Sequence, residues 1–163
     1  MTLPDTTRKE KTFFPLTSFF VSMKPKAKAR PRFTRKGFAY TPSSTASAEK
    51  TISLIAKQVF KKEPTKKPVK LVLKFYFQTP KSWTRKKRKL VLEDLSGFHS
   101  SKPDLDNLSK LVKDSLNGII FHDDAVVACM YCEKRYDDNI EGIAIEVYEY
   151  GNHDNDDNDD KAN

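Results

Sequence analysis

From Val69 to Phe77 the apolar side chains Val69, Leu71, Leu73, Phe75 and Phe77 occupy alternate positions, with Lys70, Lys74 and Tyr76 among those between. That period of two predicts a strand with one face in a core. Leu16 to Val21, rich in aromatic and β-branched residues, predicts a first strand. Ala125–Tyr136 and Ile140–Tyr150 predict two more, with Asp137-Asp138-Asn139 as the turn between them. Elsewhere the period lengthens. Ile52, Ile55, Ala56 and Val59 give one apolar face to a helix from about Thr45 to Phe60, preceded by the capping residues Thr41-Pro42-Ser43. Leu105, Leu108, Leu111, Val112 and Leu116 predict an amphipathic helix from Asp104 to the stop Asn117-Gly118. A short basic helix is expected within Trp83–Leu92, leading to a flexible loop from Glu93 to Ser101, and Gly37 is expected to turn the chain between Phe33 and Phe38-Ala39-Tyr40.

Together these elements predict an α/β chain of the α+β kind: a single domain whose mixed sheet of about four or five strands carries two main helices. The length of 163 residues suits one domain. Residues 1–12 are polar and are expected to form a flexible extension, with the domain spanning 13–150. Residues 151–163 hold five Asp, one Lys and no large apolar residue, so a disordered acidic tail is expected.

Charge changes the picture from fold to partner. The chain carries +8 overall, and without the tail it holds 29 basic and 17 acidic residues, a net of +12. Such an excess is the electrostatic footprint of a nucleic-acid binder. Its densest part is Lys24 to Phe33, five cations and two prolines in ten residues, too proline-broken for a helix and read as an extended basic arm. No apolar run approaches the roughly 20 residues that span a bilayer, and charges interrupt the first dozen residues, so neither a membrane segment nor a signal peptide is expected and the location should be cytoplasmic. Cys129 and Cys132 lack a second ligand pair, and in a strand they would point to opposite faces, so they read as two reduced cysteines.

Against this positive background the segment Lys102–Val127 gathers five carboxylates: Asp104, Asp106, Asp114, Asp123 and Asp124. Asp106, Lys110 and Asp114 are four apart and share one helix face, while Asp104 and Asp106 sit at the positive end of the helix dipole. Two readings fit the residues alone. If a short return brings Asp123 and Asp124 back to the helix start, the converging hard oxygens suit Mg²⁺ or Mn²⁺ and phosphodiester cleavage, with Lys110 placed to neutralise charge on the scissile phosphate. Otherwise Asp104 is a cap, Asp106-Lys110-Asp114 a solvent-facing ladder, and Asp123-Asp124 a turn.

The order of the pieces is more specific than any one of them. K-A-R-P-R-F followed by G-F-A-Y-T-P, then D-L-D-N-L-x-K-x-x-x-D-S-L-N-G and H-D-D-A-V-V, resembles the RusA family of Holliday junction resolvases, common in bacteria and their phages. The resemblance covers roughly Leu16 to Tyr148. It implies a homodimeric, Mg²⁺-dependent endonuclease that resolves four-way DNA junctions by paired incisions. It further implies Asp104 and Asp106 as metal-binding catalytic carboxylates and Lys110 as the catalytic lysine. Asp124 would be the third carboxylate, with Asp123 the alternative. The cations Lys28, Arg30, Arg32, Arg35 and Lys102 would hold the DNA backbone. The N-terminal extension, the basic Trp83–Lys89 segment and the acidic tail have no counterpart in the motif.

Two rival classes remain. One is a non-catalytic nucleic-acid-binding protein whose acidic helix is structural. The other is a restriction-type nuclease, which needs P-D followed by D/E-x-K; Pro103-Asp104 supplies the first part, but the later match, Asp159-Asp160-Lys161, falls in the tail, which argues against it.

Overall fold

The computed structural model describes residues 12–30, 32–40 and 42–151, with the backbone alone described at Arg32, Phe33 and Tyr40. Residues 1–11 of the expected extension and the expected tail beyond Gly151 lie outside the described residues. Strands β1 (Phe13–Val21), β4 (Val69–Gln78), β5 (Val127–Asp137) and β6 (Gly142–Tyr150) form one mixed sheet in the order β1-β6-β4-β5. A two-residue ribbon, β2 (Arg32–Phe33) with β3 (Ala39–Tyr40), turns at Gly37 as expected. Helices α1 (Ser43–Val59) and α3 (Leu105–Leu116) pack against each other beside the sheet, and the Ser53 hydroxyl donates to the Ser115 carbonyl. The third helix, α2 (Arg85–Lys89), is short and continues as a π-helical turn, Leu90–Asp94.

The central strand behaves as its pattern predicts: Val69, Leu71, Leu73, Phe75 and Phe77 are all buried, and the residues between them are not. Burying side chains of this size stabilises by about 1.5–3 kcal/mol each, before entropy is counted. Ile143, Ile145 and Val147 of β6 and Leu108, Leu111, Val112 and Leu116 of α3 complete the same core. Helix α3 ends where expected, with Gly118 at φ +71°, a conformation that favours glycine.

Two expectations are corrected. The buried face of α1 is Thr45, Ala48, Ile52 and Ala56; Val59 is exposed and Ile55 only partly buried. The segment Glu93–Ser101 is not a loose loop. Phe98 bridges to Arg135, His99 is buried, and the Gly97 carbonyl accepts from Tyr136 N at 2.6 Å. Strand order, which the pattern leaves open, is set here by the crossing of the last two strands: β5 and β6 do not pair. β4 lies between them, parallel to β5 and antiparallel to β6. The turn forms, with the Asp137 carboxylate accepting from Asn139 N and Ile140 N, but it crosses the end of β4. Thr79, just beyond β4, hydrogen-bonds Asp138 by its hydroxyl and Asp137 by its backbone N–H.

The chain re-enters the sheet after this crossing at Gly142, where a Cβ would stand 2.3 Å from the Phe20 ring and 2.6 Å from the Val21 carbonyl oxygen. Gly142→Ala should therefore overpack the β1–β6 contact and destabilise the protein by about 1–3 kcal/mol. Urea unfolding measures it; an unchanged midpoint would mean that β1 shifts away at no cost.

Candidate active site at the start of helix α3

Asp104 occupies the N-cap position of α3 with extended backbone angles, and its carbonyl accepts from Leu108 N at 3.1 Å. Its carboxylate makes no capping bond. Asp106 follows in the first turn and Lys110 one turn later; all three are exposed, and none of their side chains has a hydrogen-bond or ion-pair partner among the described residues. Two acidic side chains thus stand at the end of the helix where its dipole favours negative charge. They are not engaged in holding the fold together.

The chain leading to Asp104 is held from strand β5. Lys134 donates through Nζ to the carbonyls of Ser101 and Pro103, at 2.7 and 2.8 Å, while its own carbonyl accepts from His99 N. The peptide between Lys102 and Pro103 is cis. His99 lies between the rings of Phe77 and Tyr136, with centroids 4.3 and 4.4 Å away. Burial, reinforced by the Lys134 charge, holds the His99 pKa below its ordinary value. Neither His99 nor Lys134 was singled out from the sequence. The signal that could have found them was a lysine at an inward strand position, in line with Cys132 and Tyr136, both of which pack against the core.

Asp123 and Asp124 lie at the other end of α3. The Asp123 carboxylate caps a short 3-10 turn by accepting from Ala125 N at 2.8 Å, and the Asp124 carboxylate is 3.8 Å from Lys113 Nζ. Lys113 is nine residues beyond Asp104, about 13 Å along the helix. Within one copy, then, the structure brings Asp104 and Asp106 together but leaves Asp124 apart, and among the described residues no three acidic, His or Cys side chains are grouped as a metal would need. Burial pushes the Cys132 thiol up to about 11, and both cysteines are free of disulfides.

Of the cations expected to hold DNA, Lys28 is differently employed. Its ammonium bridges Glu49 of α1 and Asp114 of α3, the latter at 2.9 Å, and its backbone N–H donates to the Asn107 carbonyl. Burial pulls its pKa down, but the two carboxylates outweigh that and leave it raised. Asp114 is thus paired with the arm, not with a helical ladder. Arg30, Arg35 and Lys102 are exposed and unpaired among the described residues, and the Arg32 side chain lies outside them.

A basic α+β domain with this excess of positive charge belongs to a class suited to a polyanionic partner. The chain belongs to the RusA family of endodeoxyribonucleases, whose description, Endodeoxyribonuclease RusA, it matches over residues 22–148. It is accordingly an enzyme that hydrolyses DNA, and nucleases of this family resolve Holliday junctions and depend on a metal ion. That membership sets aside the non-catalytic reading. The chain is also 32% identical over 122 residues to the uncharacterized protein YqaN of Bacillus subtilis (strain 168), a match covering 72% of this chain and 86% of the relative. No described helix is long and apolar enough to cross a membrane.

Lys28→Ala should destabilise the fold by about 1–2 kcal/mol, since it strands two partly buried carboxylates, whereas Arg30→Ala should leave the unfolding midpoint unchanged; equal midpoints for the two variants would contradict the bridge. A second expectation concerns pH. His99 has a folded pKa below the 6.5 of the unfolded chain, so its contribution to stability is complete above that value and is lost as pH falls through the folded pKa. Thermal melts should decline with acidification below about 6.5 less steeply for His99→Gln than for the parent, and parallel curves would remove the effect from His99.

Proposed function

We propose that the single domain 13–150 is a Mg²⁺-dependent, homodimeric endonuclease that resolves four-way DNA junctions in the cytoplasm by paired symmetric incisions, in recombination and repair. The observation that carries the proposal is the Asp104 carboxylate, which occupies a capping position without capping and stands beside the equally unpaired Asp106. The donor chemistry fits a hard divalent ion: Mg²⁺ is commonly held by one or two carboxylates together with phosphate oxygens, and Mn²⁺ accepts the same donors. The ion would polarise the phosphodiester and supply a water of lowered pKa.

The remaining residues act around that pair. Lys110, one turn beyond Asp106, is the catalytic lysine and offsets charge growing on the scissile phosphate. Asp124 is the third carboxylate and Asp123 its alternative. Since one copy keeps them at the opposite end of α3, their part is assigned through the homodimer, in which a second copy supplies them. A two-fold assembly also matches the symmetry of the substrate, with one site for each of two equivalent strands. Phe20, exposed on the outer side of β1 beside Tyr76, offers apolar surface for such pairing. Arg30, Arg32, Arg35 and Lys102 hold the DNA backbone, and Lys28 serves by fixing the arm that carries the first three.

The test is cleavage of a mobile four-way junction and of linear duplex of matched sequence, with and without Mg²⁺. Metal-dependent, symmetric nicks confined to the junction are expected, and equal treatment of the two DNAs would sink the junction reading. Asp106→Asn should lower cleavage by on the order of 100-fold or more while junction binding is kept or tightened. Undiminished cleavage by that variant would overturn the site assignment.

A further inference from the structure

The family motif leaves one charged element unexplained. Helix α2 is five consecutive cations, Arg85–Lys89, capped by the Thr84 hydroxyl, which accepts from Lys87 N. Like charges four apart on a helix destabilise it by a few tenths of a kcal/mol, so such a run has a cost. Only part of it is offset internally. Arg88 pairs with Asp138 at 3.2 Å, and Lys87 lies 4.8 Å over the Trp83 ring. Lys89 approaches Glu93 at 3.9 Å, but both side chains are largely exposed, and such pairs contribute little. Arg85 and Lys86 are exposed with no partner among the described residues.

The helix is nevertheless fixed, and fixed beside the candidate active site. Trp83 packs edge-on against Tyr136 at 4.8 Å, and Tyr136 stacks on His99. The Ser101 hydroxyl is 3.4 Å from the Tyr136 hydroxyl, and the Ser101 and Pro103 carbonyls receive Lys134. A continuous chain of contacts therefore runs from the base of α2 to the residue before Asp104. Both elements stand at the carboxyl end of the parallel pair β4–β5: α2 follows the end of β4, and Arg88 reaches the residue just past β5.

We propose that Arg85, Lys86 and Lys89 form a phosphate-binding platform for a duplex DNA arm flanking the cut site. The inference rests on the reading of Asp104 and Asp106 as the place where DNA is cut. It adds a second contact region, separate from the arm of Arg30–Arg35, that positions the duplex leaving the site. The ligand chemistry is the regular phosphate array of duplex DNA, matched by charge and not by base edges, so the platform contributes affinity without sequence preference.

Salt dependence of binding tests this. The triple variant Arg85→Gln, Lys86→Gln, Lys89→Gln is compared with Lys61→Gln, Lys62→Gln, Lys66→Gln, which removes the same charge from the chain leading into the opposite, amino end of β4. Binding to duplex and to a four-way junction is measured in EDTA over a range of salt. Each phosphate that is no longer neutralised should reduce the slope of log K against log salt by about 0.9, so the slope for the α2 variant should fall by about two to three while the control keeps that of the parent. An unchanged slope for the α2 variant, or equal changes in both triples, overturns the platform. A slope change on duplex and junction alike upholds it even if cleavage shows no junction preference, in which case the junction reading alone falls. Matching circular dichroism melts for variant and parent exclude unfolding as the cause.

Discussion

Strand β4 is bonded on one side to a parallel neighbour and on the other to an antiparallel one, and the layout of the molecule follows from that. A parallel pair cannot be joined by a tight turn; it needs a crossover of a dozen residues or more. The crossover here is the stretch between Gln78 and Val127, and it contains α2, the buried His99 and the whole acidic segment. Such a connection leaves from the carboxyl end of one strand and returns to the amino end of the next. Asp104, tied through Pro103 to Lys134 far along β5, and Asp124, just before β5 begins, are therefore held at opposite ends by topology. The separation of the carboxylates is as much a property of the fold as the core is.

Charge is distributed on the same logic. Of the five carboxylates between Lys102 and Val127, Asp114 is paired with Lys28, Asp124 approaches Lys113, and Asp123 caps a turn. Asp104 and Asp106 alone stay uncommitted among the described residues, although the chain around them is rich in cations that could have paired with them. Maintaining unpaired like charges two residues apart brings no stability. The helix dipole makes it tolerable, and the proposed cation shared with DNA would make it useful. The nearby cations divide in the same way: Lys28 is committed to α1 and α3, whereas Arg30, Arg35 and Lys102 are not.

Periodicity carried much of this, and its failures are instructive. The alternation in Val69–Phe77 foretold the most buried strand, and the leucines of Leu105–Leu116 foretold α3, because those residues report which face meets a core. Pairing partners leave no such mark. Asp137-Asp138-Asn139 is good turn chemistry whether the following strand returns beside β5 or crosses past β4, so the turn residues leave the strand order open. The α1 face was misplaced for a related reason: Thr45 and Ala48 are weakly apolar, so the spacing of the larger apolar residues does not mark the face on which they are buried. Likewise the DNA-binding residues came from charge and from the family resemblance, and neither reveals that Lys28 faces two carboxylates brought in from α1 and α3.

The segment before Asp104 shows how a stretch that reads as loop can hold a site. Its sequence, Glu93 to Ser101, has no period, yet it is anchored by one imidazole between two rings and by one lysine that engages it twice and Pro103 beyond it once. Those anchors are electrostatically coupled. The Lys134 ammonium needs the Ser101 and Pro103 carbonyls, and it disfavours a second positive charge on His99. Burial and, after it, the Lys134 charge lower the His99 pKa, and the lysine fixes the backbone that presents Asp104. The placement of the acidic pair rests on this clamp from β5, a rigid element of the sheet, so the carboxylates can remain free of structural duty while their positions are still set by the core.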